Sequence, residues 1–130
     1  MQNYNSKLKS DKTYDIKVRA YKFALSIMSL VDSLPDKRSC WIIADQLLRA
    51  STSVGANIIE AQAASSKRDF VNFMTHSLKS ANECKFWLGL LRDGNILASV
   101  KINPQLEETK EIANILATIV LKAKGKNRYV

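Results

Sequence analysis

Apolar residues recur three and four positions apart along most of this chain, and strand-type alternation is nowhere sustained, so the pattern predicts helices throughout. The first, over about 13–33, carries Ile16, Ala20, Phe23, Ile27, Leu30 and Leu34 on one stripe. Pro35 ends it, because proline disfavours helical geometry in the residue before it. The second, about 37–64, runs along Cys40, Ile43, Leu47, Ala50, Val54, Asn57 and Ala61. Ser65-Ser66 breaks that pattern, and Ser66 with Asp69 three residues on resembles a capping box. The third, 66–93, buries Phe70, Met74, Ser77, Ala81, Cys84, Leu88 and Leu91, with Gly94 placed to close it as a left-handed residue. Asn103-Pro104 then reads as an N-cap followed by proline at the first helical position, opening a fourth helix over 104–124. Its stripe is Leu106, Thr109, Ala113, Leu116, Val120 and Ala123; Glu107, Glu108 and Glu111 near its start and Lys122 and Lys124 at its end suit the helix dipole. Helices of about 20–27 residues are about 30–40 Å long at ~1.5 Å per residue. Short connections make neighbours antiparallel, which predicts an all-α fold, an antiparallel up-down-up-down four-helix bundle.

Two departures from a simple core stripe carry more information. Asn57 puts an amide on the seam of the second helix, and Arg49, Ser53, Asn57 and Glu60 recur four, four and three apart as a polar ribbon. Ser80 and Glu83 on the third helix are its expected partners. Such a set is read here as a structural polar network that selects helix order and assembly. The alternative, a ligand or catalytic site between helices, lacks a recognised acid–base pair, because Glu and Arg stand without His, Cys or a second close carboxylate. Gly55, beside small residues Ala50, Ser51 and Ala56, is expected to let another helix approach closely. The first helix also bears a second apolar stripe, Tyr14, Val18, Tyr21, Leu25 and Met28, turned roughly 160° from the core stripe. One bundle cannot bury both faces of a helix. With Trp41 and Ile59 on the second helix, this stripe is the expected oligomer interface.

Composition bounds the remainder. The chain has 130 residues, 46% hydrophobic and 25% charged, which suits one soluble globular domain. No apolar run reaches the ~20 residues of a membrane span. The first residues lack the apolar core of a signal peptide, and two cysteines without CxxC spacing suit a reducing compartment, so the expected location is cytoplasmic. Neither a structural zinc site nor a Glu-x-x-His di-iron motif can be assembled around the single histidine, His76; no cofactor, metal or catalytic residue is expected. The net charge of +8 is divided equally between residues 1–22 and 122–130, while 23–121 sums to zero. Residues 1–12 and 125–130 are expected to be basic flanking segments, the first flexible. In an up-down bundle both ends share a pole with the turn between the second and third helices. Lys7, Lys9, Lys12, Lys67, Arg68, Lys122, Lys124, Lys126 and Arg128 would then converge as a polyanion-binding pole.

The run Gln46-Leu47-Leu48-Arg49-Ala50-Ser51-Thr52-Ser53-Val54-Gly55-Ala56-Asn57-Ile58-Ile59-Glu60-Ala61 resembles the signature of a bacterial family. Its members are four-helix bundle proteins encoded by intervening sequences of 23S ribosomal RNA genes. The resemblance continues through Ser66–Phe70 and Ser77–Glu83 and covers roughly residues 14–121, most of the chain. Ala61 departs from it, standing where the family often has glycine. The resemblance implies an antiparallel four-helix bundle assembling as a homopentamer. It is also similar to the accessory variability determinant of diversity-generating retroelements, a basic pentameric bundle that engages a reverse transcriptase and nucleic acid. The matched polar positions are Arg49, Asn57, Glu60, Ser80 and Glu83.

The expected function is therefore a non-enzymatic, homo-oligomeric scaffold with itself as first partner, binding RNA or another polyanion through the basic pole. No exposed aromatic platform interleaves with those lysines, so base recognition is not indicated. The alternative is a protein–protein interaction module that does not itself bind nucleic acid.

Overall fold

The computed structural model describes residues 12–128, with side chains from Ile16 to Gly125. Four helices follow in order: α1 Lys12–Asp32, α2 Arg38–Gln62, α3 Lys67–Asp93 and α4 Ser99–Arg128. Each packs against its two neighbours, with α1 closing the cycle on α4. This is the up-down-up-down bundle expected from the spacing. The α2–α3 and α3–α4 seams are the more extensive; α1 is held less tightly.

The core is one cluster fed by all four helices, from Ile16, Ala20, Phe23 and Ile27 through Leu47, Val54 and Ile58 to Met74, Leu88, Ile112 and Leu116. The stripes of α1 and α3 are buried nearly as read, with Leu34 and Phe70 left half-buried. On α2 the buried line departs from the sequence reading at position 57. Ile58 is fully buried, whereas Asn57 is half-buried at the edge of the α2–α3 seam. Both positions flank the direction of Val54 and Ala61. The apolar side chain took the interior, because an amide there would lose its water.

The ends of the helices show three further points. Ser66 caps α3, its Oγ accepting from the Asp69 N–H at 3.1 Å. At the other end Gly94 is not left-handed (φ −80°); Asn95 is, at φ 56°. The Ile96 N–H reaches the Leu91 carbonyl (3.1 Å) and the Asn95 N–H the Arg92 carbonyl (3.2 Å), a Schellman closure with asparagine as its left-handed residue. Glycine is still required at 94, since a Cβ there would lie 2.8 Å from the Leu90 carbonyl oxygen. The third point is a correction: α4 opens at Ser99, so Asn103 is not its N-cap and Pro104 lies inside the helix. Ile102 explains the extra turn, being fully buried one turn before Leu106. Pro104 removes only the N–H that would have met the carbonyl of exposed Val100.

Candidate functional site

Three surfaces follow from this frame. The polar ribbon is smaller than the sequence suggests. Asn57 Nδ2 donates to both the carbonyl and the hydroxyl of Ser53 (2.9 Å each), and Ser80 Oγ reaches Ser53 Oγ at 3.0 Å, linking α3 to α2. Ser77 adds a fully buried hydrogen bond to the Val54 carbonyl at 2.7 Å. Arg49 does not join them: it turns outward to Asp45 on its own helix at 3.1 Å. Glu60 is exposed, and Glu83 accepts the indole N–H of Trp87 (2.9 Å) on the outer face of α3. The set that remains is three neutral side chains with no group to move a proton, and it ties α2 to α3. Among the described residues no three His, Cys, Asp or Glu side chains are grouped to hold a metal ion, and His76 is exposed. Cys40 and Cys84 are both buried free thiols. Burial, reinforced by the nearby Glu83 charge, pushes the Cys84 thiol up to about 12, so it stays protonated.

The α2–α3 turn and the end of α4 do meet. Lys67, Arg68, Val71 and Asn72 from the start of α3 face Ala123 and Lys124 across a shallow groove of ≈ 350 Å³. Three basic side chains from two segments far apart in sequence thus surround one depression at the positive end of α3. Lys122 is exposed on the last turns of α4 but does not line it. The side chains of Lys7, Lys9, Lys12, Lys126 and Arg128 lie outside the described residues, as does that of Tyr14.

The second stripe of α1 is exposed at Tyr21 (69%), Leu25 (50%) and Met28 (47%) and half-buried at Val18. Ile59 is likewise exposed beside it, and between α1 and α2 runs an apolar groove of ≈ 490 Å³. Gly55 opens onto this groove, where a Cβ would meet Ala20 at an ordinary 3.7 Å, so α1 itself does not demand a glycine there. Trp41 is exposed at the opposite pole, its indole N–H bound to Asp36 at 2.6 Å. On the α4 side, α1 is held by polar contacts that the sequence reading did not find. Arg19 makes a two-pronged pair with Glu108 (2.7 and 3.0 Å), and Ser26 donates to Gln105 (2.8 Å). Also missed was an apolar patch on α3, Phe86 and Leu90, whose i,i+4 spacing opposite the core stripe was a readable signal.

Against known proteins, residues 12–118 match the family model of the 23S rRNA-intervening sequence protein. The chain belongs to that family. A crystal structure of similar fold is that of a protein of unknown function from the S23 ribosomal protein family of Bacteroides thetaiotaomicron. It is 33% identical, with a TM-score of 0.79, and the match covers 84% of this chain and 97% of that one. No curated protein matches. The 23S rRNA-intervening sequence protein model takes in the α1–α2 groove, the Ser53–Asn57–Ser80 link and the α3 part of the basic groove; Lys124 lies beyond it. No helix among the described residues is long and apolar enough to cross a membrane.

Proposed function

We propose that the protein is a non-enzymatic, self-associating helical scaffold that binds RNA or another polyanion through its basic pole. The observation that carries this reading is the groove where Lys67, Arg68 and Lys124 converge. Lysine and arginine around an open depression suit backbone phosphates, whose binding is electrostatic and indifferent to sequence. The exposed stripe of α1 supports self-association, since a continuous apolar face is covered in a stable protein. Five subunits is the number that the family resemblance implies. In a closed assembly of parallel protomers the basic pole is repeated around the axis and its field multiplied. The proposed setting is the cytoplasm.

A second reading, an interaction module whose partner handles nucleic acid, draws on the same apolar faces. Light scattering of the purified protein together with its absorbance ratio at 260 and 280 nm separates the two. The scaffold reading expects a mass several times the 14.6 kDa of one chain and a ratio raised by co-purifying nucleic acid. An oligomer with a protein-only ratio that also fails to bind added RNA favours the interaction module. A 14.6 kDa monomer with that ratio overturns the proposal.

A further inference from the structure

The basic groove is one end of a longer polar face. From Arg68 and Asn72, which line the groove, helical spacing continues along α3 through Thr75, Lys79 and Asn82 to Phe86, in steps of four and three. From Lys124 the matching line on α4 runs back through Leu121, Ala117 and Asn114 to Lys110. The two helices are antiparallel neighbours, and the groove brings the first members of both lines together, so the lines run side by side. Neither line holds a carboxylate. Arg68, Lys79, Lys110 and Lys124 are exposed on them, as are the amides of Asn72, Asn82 and Asn114. Of the acids just off the lines, Glu83 is bonded to the Trp87 indole (2.9 Å) and Glu107 to Lys110 (3.3 Å). That second pair is exposed on both sides and is readily exchanged for another anion. Asp93, beyond Phe86, is paired with Arg92 at 2.9 Å, and Asp69 stands about 100° round the helix from Arg68.

Phe86 closes the α3 line with a ring that is 59% exposed, and Leu90 one turn on extends it. The ring is held edge-on against Trp87 (centroids 5.0 Å, planes at 75°). An exposed aromatic fixed in this way loses little freedom on being covered. On the side facing the basic pole its neighbours along α3 are Lys79, Asn82 and the half-buried Lys85. It is therefore an apolar platform at the end of a cationic, amide-lined track.

We infer that the α3–α4 face is a track for an unpaired strand of RNA, its cations taking the phosphates and Phe86 stacking on one of the bases. The inference rests on the polyanion reading proposed above and names the form of nucleic acid. Phosphate contacts alone accept duplex and single strand alike, whereas a stacking platform needs a base whose face is uncovered. Arg68 and Phe86 stand about 27 Å apart along the axis at ~1.5 Å per residue, room for several nucleotides of an extended strand. The three amides between them can donate to and accept from sugar hydroxyls and base edges.

Fluorescence anisotropy tests it with three probes: a labelled single-stranded RNA of about 12 nucleotides, the same sequence as a duplex, and heparin, a polyanion without bases. The unaltered protein should bind the single strand more tightly than the duplex. Phe86→Ala should weaken the single strand about fivefold or more and leave duplex and heparin unchanged, and Phe86→Trp should keep the tight binding. Lys79→Glu, outside the groove, should also weaken the single strand. Circular dichroism and light scattering check that fold and assembly are kept. In a Trp41→Phe background Trp87 is the sole tryptophan, and its emission should change on adding the single strand but not on adding heparin. A Phe86→Ala protein that binds the single strand as well as the unaltered one, or that weakens equally for all three probes, would overturn the track while leaving the basic pole standing. A Phe86→Ala protein of altered mass would place the ring in a subunit contact and overturn it equally. Unaltered protein that binds none of the three probes would sink the polyanion reading as well.

Discussion

Ser77 donates its hydroxyl across the α2–α3 seam to the Val54 carbonyl from a position with no solvent access. Removing it leaves that carbonyl its own helical bond, so Ser77→Ala should cost about 1 kcal/mol. Asn57 is half-buried and bonded only within α2, and Asn57→Ala should cost no more, measured as the shift in urea midpoint. A loss of ~3 kcal/mol or more at Asn57 would restore it to the buried role read from the sequence. Cys84 makes a sharper case. Its thiol is raised by burial from an ordinary value near 9 to about 12, so the fold favours the protonated form. That contribution is complete below pH ~9 and is lost as pH climbs towards ~12. Unaltered protein should therefore lose more stability than Cys84→Ala between about pH 9 and 11, seen in urea titrations at each pH. Equal losses would contradict the assignment.

At the scale of single helices, the two ends of the α3–α4 connection separate what sequence can and cannot disclose. Asn95 holds φ 56° where glycine is the favoured residue, so Asn95→Gly should match or raise stability by a few tenths of a kcal/mol. Asn95→Val should lower it by about 1–2 kcal/mol, because a β-branched side chain resists that conformation. Thermal unfolding of the two variants reads both signs. Pro104 inside α4 leaves one carbonyl unbonded, and Pro104→Ala should raise the unfolding midpoint by restoring that bond. The stripes of α1, α2 and α3 were legible since burial at helical spacing is a strong periodic signal. The start of α4 was not: Asn103-Pro104 is a sound local start signal, overridden by the burial of Ile102, which is a tertiary fact. The polar ribbon failed for a related reason. Spacing placed Arg49 and Glu60 on one line with Ser53 and Asn57, but whether a long side chain turns inward or to solvent depends on the neighbouring helix. Phe86 and Leu90, by contrast, were visible as a pair and needed only the same wheel that revealed the outer stripe of α1.

The whole molecule joins a charge pattern to a topology. An excess of +8 confined to the two ends of the sequence is unremarkable in an extended chain. Antiparallel packing turns part of it into a basic groove, bringing Lys124 of α4 to Lys67 and Arg68 of α3. In the proposed assembly the apolar faces would act at a larger scale, repeating that groove. Binding of a fluorescent single-stranded RNA, titrated at about 50 and about 200 mM salt, tests the central claim most directly. Affinity of the unaltered protein should fall about tenfold or more across that range, and Arg68→Glu with Lys124→Glu should abolish binding at the lower salt. An affinity indifferent to salt, or a variant that binds as well as the unaltered protein, would contradict the account.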